Sequence, residues 1–210
     1  MKTNELIQML ATNAGAAPPA MTVRQWAAYV LPALGVSALL SIFHLGLIPL
    51  KILMLPGIWL KFAYGMVLGL LLIPLIVRLG QPGAPAGQAL RRPLVWVLLM
   101  ATVGLAHAVL SEQLDSALWG HSWSQCPWNI LALSVPAQGA VLVLIRRNLA
   151  PVQPTWAGFA SGLLAGAVGA TAYALSCTET SPTFVALWYS AGVLFSGALG
   201  ALMGRCFLKW

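Results

Sequence analysis

Charge is scarce in this chain. Of its 210 residues only eleven are Lys or Arg and four are Asp or Glu, 7% in all, whereas soluble domains carry about 25%. With 60% hydrophobic residues and a mean hydropathy of +0.85, an ordinary soluble domain is excluded. The four acids all lie outside the long apolar runs, which argues against a proton- or ion-coupled transporter, because such proteins keep ionisable groups at mid-membrane. The three cysteines include no C-x-x-C pair, which counts against a thiol relay enzyme. Phosphate loops, nucleophile elbows and dinucleotide fingerprints are absent too. A net charge of +7 invites a nucleic-acid reading, yet no basic cluster interleaved with aromatics accompanies it. These absences point to an integral membrane protein, expected not to be an enzyme, to need no cofactor and not to bind nucleic acid directly, with a membrane thiol oxidoreductase left as the enzyme reading.

What is present is apolar length. A spanning helix needs about 20 mainly apolar residues, and windows at 26–47, 58–79, 93–110, 127–145, 155–175 and 184–203 supply them. The expected fold class is therefore all-α, a polytopic bundle of six transmembrane helices occupying residues 25–210. The connections are short and punctuated by Pro and Gly, as in "GQPGAPAG" and "APVQP". Pro32, Pro74 and Pro136 fall inside spans, where kinks are often purely structural. The N-terminus lacks a cleavable signal pattern and is expected to be retained.

The bias of Lys and Arg between short loops orients the bundle. Arg24, Arg78, Arg91, Arg92, Arg146, Arg147, Arg205 and Lys209 all fall on one side. The other side receives Lys51 and Lys61 along with Glu112, Asp115 and Glu179. Both termini are expected in the cytoplasm of a bacterial inner-membrane protein, with the loop at 111–126 and the turn at 176–183 facing outward. Each outward segment carries one cysteine, Cys126 and Cys177, while Cys206 lies at the cytoplasmic end. Two outward thiols in an oxidising compartment are able to pair. Burial as small apolar residues is the competing reading, and the sequence leaves both open.

Other features have plain structural readings. Trp119, Trp123, Trp128, Trp188 and Tyr189 sit near outer helix ends and read as an interfacial belt. Gly158, Gly162 and Gly166 on the fifth span, and Gly192, Ser196, Gly200 and Gly204 on the sixth, form small-residue ridges. Such ridges favour packing within the bundle, with a homodimer as the second option. For His107, Asn129 and Gln138, interhelical hydrogen bonds explain each residue as well as a ligand site does. His107 and His121 with the outer cysteines lack close ligand spacing, so no dedicated metal site is expected.

Residues 1–24 form a separate cytoplasmic unit. "TNELIQMLA" offers Thr3 as a helix cap, Glu5 in the first turn, and Leu6, Ile7 and Leu10 at helical spacing. "TNAGAAPPAM" then reads as a tether. A short amphipathic helix of this kind gains order from a partner's groove or from the membrane surface.

The segments "GHSWSQC", "SCTETSPTFVALWY" and "TNELIQMLA", with spans at this spacing, resemble the NrsF family of membrane-bound anti-sigma factors, which act on an extracytoplasmic-function sigma factor of the sigma F type. The resemblance covers nearly the whole chain. Its most specific parts are His121, Ser122, Trp123 and Cys126 in one motif, and Cys177, Ser181, Pro182, Phe184, Trp188 and Tyr189 in the other. Where the family pattern places an Asp before Ser-Pro, this chain has Thr180 beside Glu179. The resemblance implies that the N-terminal helix holds the sigma factor at the bilayer, with Glu5, Leu6, Ile7 and Leu10 as contacts. It also implies that Cys126 and Cys177 sense heavy-metal or oxidative stress, with His121, Trp123, Glu179, Ser181, Pro182, Trp188 and Tyr189 around them. A membrane thiol oxidoreductase and a small transporter are the rival readings.

Overall fold

The structure is a computed structural model that describes residues 3–13, 21–81, 83–111 and 118–208. Helices α1 (Thr3–Asn13), α2 (Val23–Leu45), α3 (Leu50–Leu53), α4 (Pro56–Leu79), α5 (Gly87–Leu110), α6 (Cys126–Asn148), α7 (Pro154–Tyr173) and α8 (Pro182–Phe207) follow in order. No strand occurs among the described residues. Glu112 and Asp115, expected on the outer side, and Lys209 on the other lie outside them.

Five helices, α2, α4, α5, α6 and α8, are long and apolar enough to cross a bilayer. The expected fifth span, α7, forms a helix of 20 residues but falls short of that hydropathy because Gly and Ala dominate it. Its environment explains the composition. From Ala157 to Tyr173 every residue but Phe159 and Leu163 is buried, and a helix surrounded on all sides has no polar face to present. By contrast, Phe43, Leu70, Leu105 and Leu202 on the other long helices are exposed. Large apolar side chains turned outward around a packed core are the pattern of a bundle solvated by lipid rather than water.

Several helix boundaries differ from expectation. α2 starts at Val23, since Thr22 caps it: its hydroxyl accepts from Gln25 N while the Gln25 side chain accepts from Thr22 N at 2.9 Å. α5 begins at Gly87 and carries Pro93 in its second turn instead of starting there. The chain leaves α2 through Gly46, whose φ of +80° favours glycine. It then forms the short α3, which the apolar pattern did not signal.

Successive long helices run in opposite directions, so their ends gather at two poles. At one pole Ala150 N donates to Gly80 O at 3.2 Å and Arg205 Nε to Thr155 Oγ1 at 3.2 Å. At the other, Ile48 N donates to Leu175 O at 3.1 Å, and the Ser41 and Ser176 hydroxyls are 2.8 Å apart. The tightest helix pair is α7 with α8. A Cβ on Gly158 would lie 2.7 Å from Gly204 Cα, one on Gly162 would lie 2.8 Å from Gly197 Cα, and one on Gly166 would lie 2.9 Å from Val193 Cα. Backbones that approach this closely gain dispersion contacts along their whole length. Gly200 meets Gly162 Cα at 2.7 Å in the same way, and Ser196 Oγ bonds back to Gly192 O at 2.9 Å. Gly192 itself faces Ile130 of α6.

Candidate functional site

The two cysteine-bearing segments meet at the pole where α4, α6 and α8 begin and α7 ends. After α7 the chain turns, with both Ser176 N and Cys177 N donating to Tyr173 O at 3.0 Å. Ser181 then caps α8, accepting from Phe184 N, and Pro182 fills the first helical position. In the other segment Cys126 N donates to Ser122 O at 2.9 Å as α6 opens. Glu179 joins the two, since its Oε1 accepts from His121 N at 2.7 Å. Gly120 permits the approach. Its φ is +53°, and a Cβ there would fall 2.9 Å from both Glu179 Cδ and Phe184 Cδ2.

Above this join the indoles of Trp119, Trp123 and Trp188 form a cluster with ring centroids 4.9 to 5.8 Å apart. Trp188 Nε1 donates to Leu118 O at 2.8 Å. Three of the residues read as an interfacial belt thus bind one segment to the other, while Trp128 pairs with Phe195 on an exposed face. Trp188 and Tyr189 belong to a π-helical turn, Val185–Tyr189, at the start of α8. Such turns recur at functional sites. Here Trp188 packs into the indole cluster while Tyr189 is fully buried on the inner side.

Beneath the join lie Cys126 and Cys177, both free thiols and both buried. They lie beside the phenols of Tyr173 and Tyr189, whose rings are 5.9 Å apart. Tyr189 Oη is buried on the side of the Cys177 side chain. Into this group α4 inserts Lys61, which is 0% exposed. Its Nζ donates to Cys177 O at 2.7 Å and lies 5.9 Å from the Tyr189 ring centroid, at the limit of cation–π contact. Sequence reasoning placed Lys61 among outer-side bases and missed this role. The available signal was a lone Lys inside the apolar run 58–79, where an ionisable group is a functional marker.

Other sequence-selected residues lie elsewhere. His107 Nδ1 is 3.0 Å from Thr183 Oγ1, and Gln138 Nε2 donates to Ser161 Oγ at 3.1 Å. Among the described residues no three of His, Cys, Asp and Glu converge as metal ligands. In α1, Glu5 occupies the first turn and Ile7 is exposed, while the Leu6 and Leu10 side chains lie outside the described ones.

Residues 10–210 match the family model described as NrsF, negative regulator of sigma F. The chain belongs to the NrsF family. Over its full length and theirs it is 37% identical to a probable anti-sigma-F factor NrsF of Azospira oryzae and 36% identical to the anti-sigma-F factor NrsF of Caulobacter vibrioides. No solved structure matches the chain. NrsF proteins are regulators rather than enzymes.

Proposed function

We propose that this NrsF-family chain is an inner-membrane anti-sigma factor. It holds an extracytoplasmic-function sigma factor through α1 and releases it when Cys126 and Cys177 react with a heavy-metal ion or an oxidant. The carrying observation is the convergence of both cysteine segments on one buried site, joined through Glu179 and the indole cluster. A chemical change at either thiol would disturb four helices at once. Six spans with both termini cytoplasmic fit the alternating helix directions, which collect Arg78, Arg146, Arg147 and Arg205 at the pole opposite the cysteines. On this reading residues 1–24 are the sigma-binding unit and its tether, and residues 25–210 the membrane domain.

Affinity purification of the detergent-solubilised protein from its host tests the reading. A sigma factor identified by mass spectrometry with the full chain, and lost when residues 1–20 are removed, is the expected result. Recovery of the sigma factor with both forms would move the contact away from α1, and recovery with neither would overturn the assignment.

A further inference from the structure

At the pole opposite the cysteines, where α4 ends and α5 begins, a groove of about 520 Å³ lies between the two helices. Its lining changes character along α5. Gln88, Arg91 and Arg92 stand at the mouth, and Val95, Trp96 and Leu99, with Leu71 of α4, continue it toward mid-membrane. Trp96 is a fixed wall, because its Nε1 donates to Tyr64 O of α4 at 3.2 Å. At the rise of an α-helix, Leu99 lies about 10 Å deeper than Arg92. We propose that this groove binds an anionic phospholipid, with the phosphate on the Arg91 and Arg92 guanidiniums and an acyl chain along Val95, Leu99 and Leu71.

Charge and depth select the occupant. Arg78, Arg91, Arg92, Arg146, Arg147 and Arg205 gather at this pole, whereas the carboxylates among the described residues are Glu5 in α1 and Glu179 at the cysteine pole. The arginines therefore outnumber any acid able to neutralise them, and a guanidinium matches a phosphate with two parallel hydrogen bonds. Basic pockets between spanning helices take anionic headgroups in this way. A free phosphate would leave the apolar part of the groove unfilled. An acidic peptide following it to Leu99 would carry unpaired backbone groups into the hydrocarbon, whereas an acyl chain has none to satisfy. The cavity on the other side of α5, lined by Leu72, Leu94 and Phe159 among others, has no basic residue in its lining and lacks this selectivity.

The site rests on the membrane-domain part of the proposed function and on neither its sensing nor its sigma-binding part. Its test therefore uses the purified full chain alone. The protein in detergent is incubated with phosphatidylglycerol or with phosphatidylcholine of the same acyl chains, and bound lipid is counted by native mass spectrometry. The wild type is expected to hold phosphatidylglycerol at least about tenfold more tightly. Equal binding of the two lipids overturns the site and leaves the membrane reading standing.

Two paired variants separate the groove from the field of the whole pole. Arg91→Gln with Arg92→Gln removes two charges from the mouth, and Arg78→Gln with Arg205→Gln removes two from the same pole outside it. The first pair is expected to lose the preference, about tenfold, and the second to change it by less than about twofold. Equal loss in both pairs overturns the proposal. Val95→Trp keeps both guanidiniums and fills the groove beneath them, so phosphatidylglycerol binding is expected to fall toward that of phosphatidylcholine. Unchanged binding by that variant reduces the site to surface attraction and overturns the groove. Every side chain altered is exposed, so each variant should fold as the wild type does. If the Arg91 and Arg92 pair instead loses the sigma factor while keeping its lipid preference, the face is a protein contact and the proposal falls.

Discussion

Glu179 and His121, 58 positions apart, are joined by a 2.7 Å hydrogen bond from the His121 amide to the Glu179 carboxylate. That bond ties the loop leading into α6 to the turn leading into α8, and both cysteines lie under it. Glu179→Ala removes the acceptor, whereas Glu179→Gln keeps an oxygen in its place. The alanine variant is expected to loosen the Trp119, Trp123 and Trp188 cluster, seen as a red shift of tryptophan emission, and the glutamine variant to shift it less. Identical spectra for wild type and Glu179→Ala would contradict this role.

Gly120→Val tests the same join from the other segment. A side chain at φ +53° is strained and also meets Glu179 and Phe184. The expected cost is about 1–3 kcal/mol, read as a lower midpoint in thermal unfolding in detergent. An unchanged midpoint would show that the loop relaxes without loss.

Between α7 and α8 the small residues set the packing distance. Gly162→Val would drive a branched side chain into the backbone of Gly197 and Gly200. Overpacking of this kind costs about 1–3 kcal/mol. Reduced thermal stability of the solubilised protein is expected, and wild-type stability would show that the helices separate freely.

Gln138 illustrates a polar residue with a structural role. Its amide nitrogen donates to Ser161, yet its Oε1 is buried without a partner among the described residues. Gln138→Leu is therefore expected to change stability by no more than about 1 kcal/mol, and to leave sigma-factor retention intact. Loss of retention at normal protein level would assign Gln138 a role in signalling.

The proposed role of α1 as the sigma-factor contact is tested by Ile7→Glu. Ile7 is exposed, so the bundle should fold and melt as the wild type does. Binding of the sigma factor is expected to weaken at least about tenfold. Full binding by this variant would remove Ile7 from the interface.

Apolar length and Pro/Gly punctuation made the ends of the long helices legible in the sequence to within six residues, the largest gap being the start of α5 at Gly87. α7 shows the limit of that signal. Its Ala and Gly content marks a helix enclosed by others, and hydropathy does not distinguish enclosure in protein from exposure to lipid. The cysteine pole was half legible. Motif residues such as Trp188 and Glu179 stood out, but the bonds from Glu179 to His121 and from Lys61 to Cys177 span 58 and 116 positions. No local pattern records contacts across such separations. The burial of Lys61 left no trace in the sequence because a base near a helix end ordinarily reaches water along its flexible stem, whereas here it is fully buried and bonded to the turn after α7.

The most direct measurement follows the sigma factor between membrane and soluble fractions before and after exposure of cells to cadmium or a hydroperoxide. The account predicts that it leaves the membrane in wild-type cells and stays there in cells carrying Cys177→Ser. Equal release in wild type and in both Cys126→Ser and Cys177→Ser cells, at matched protein level, would contradict it.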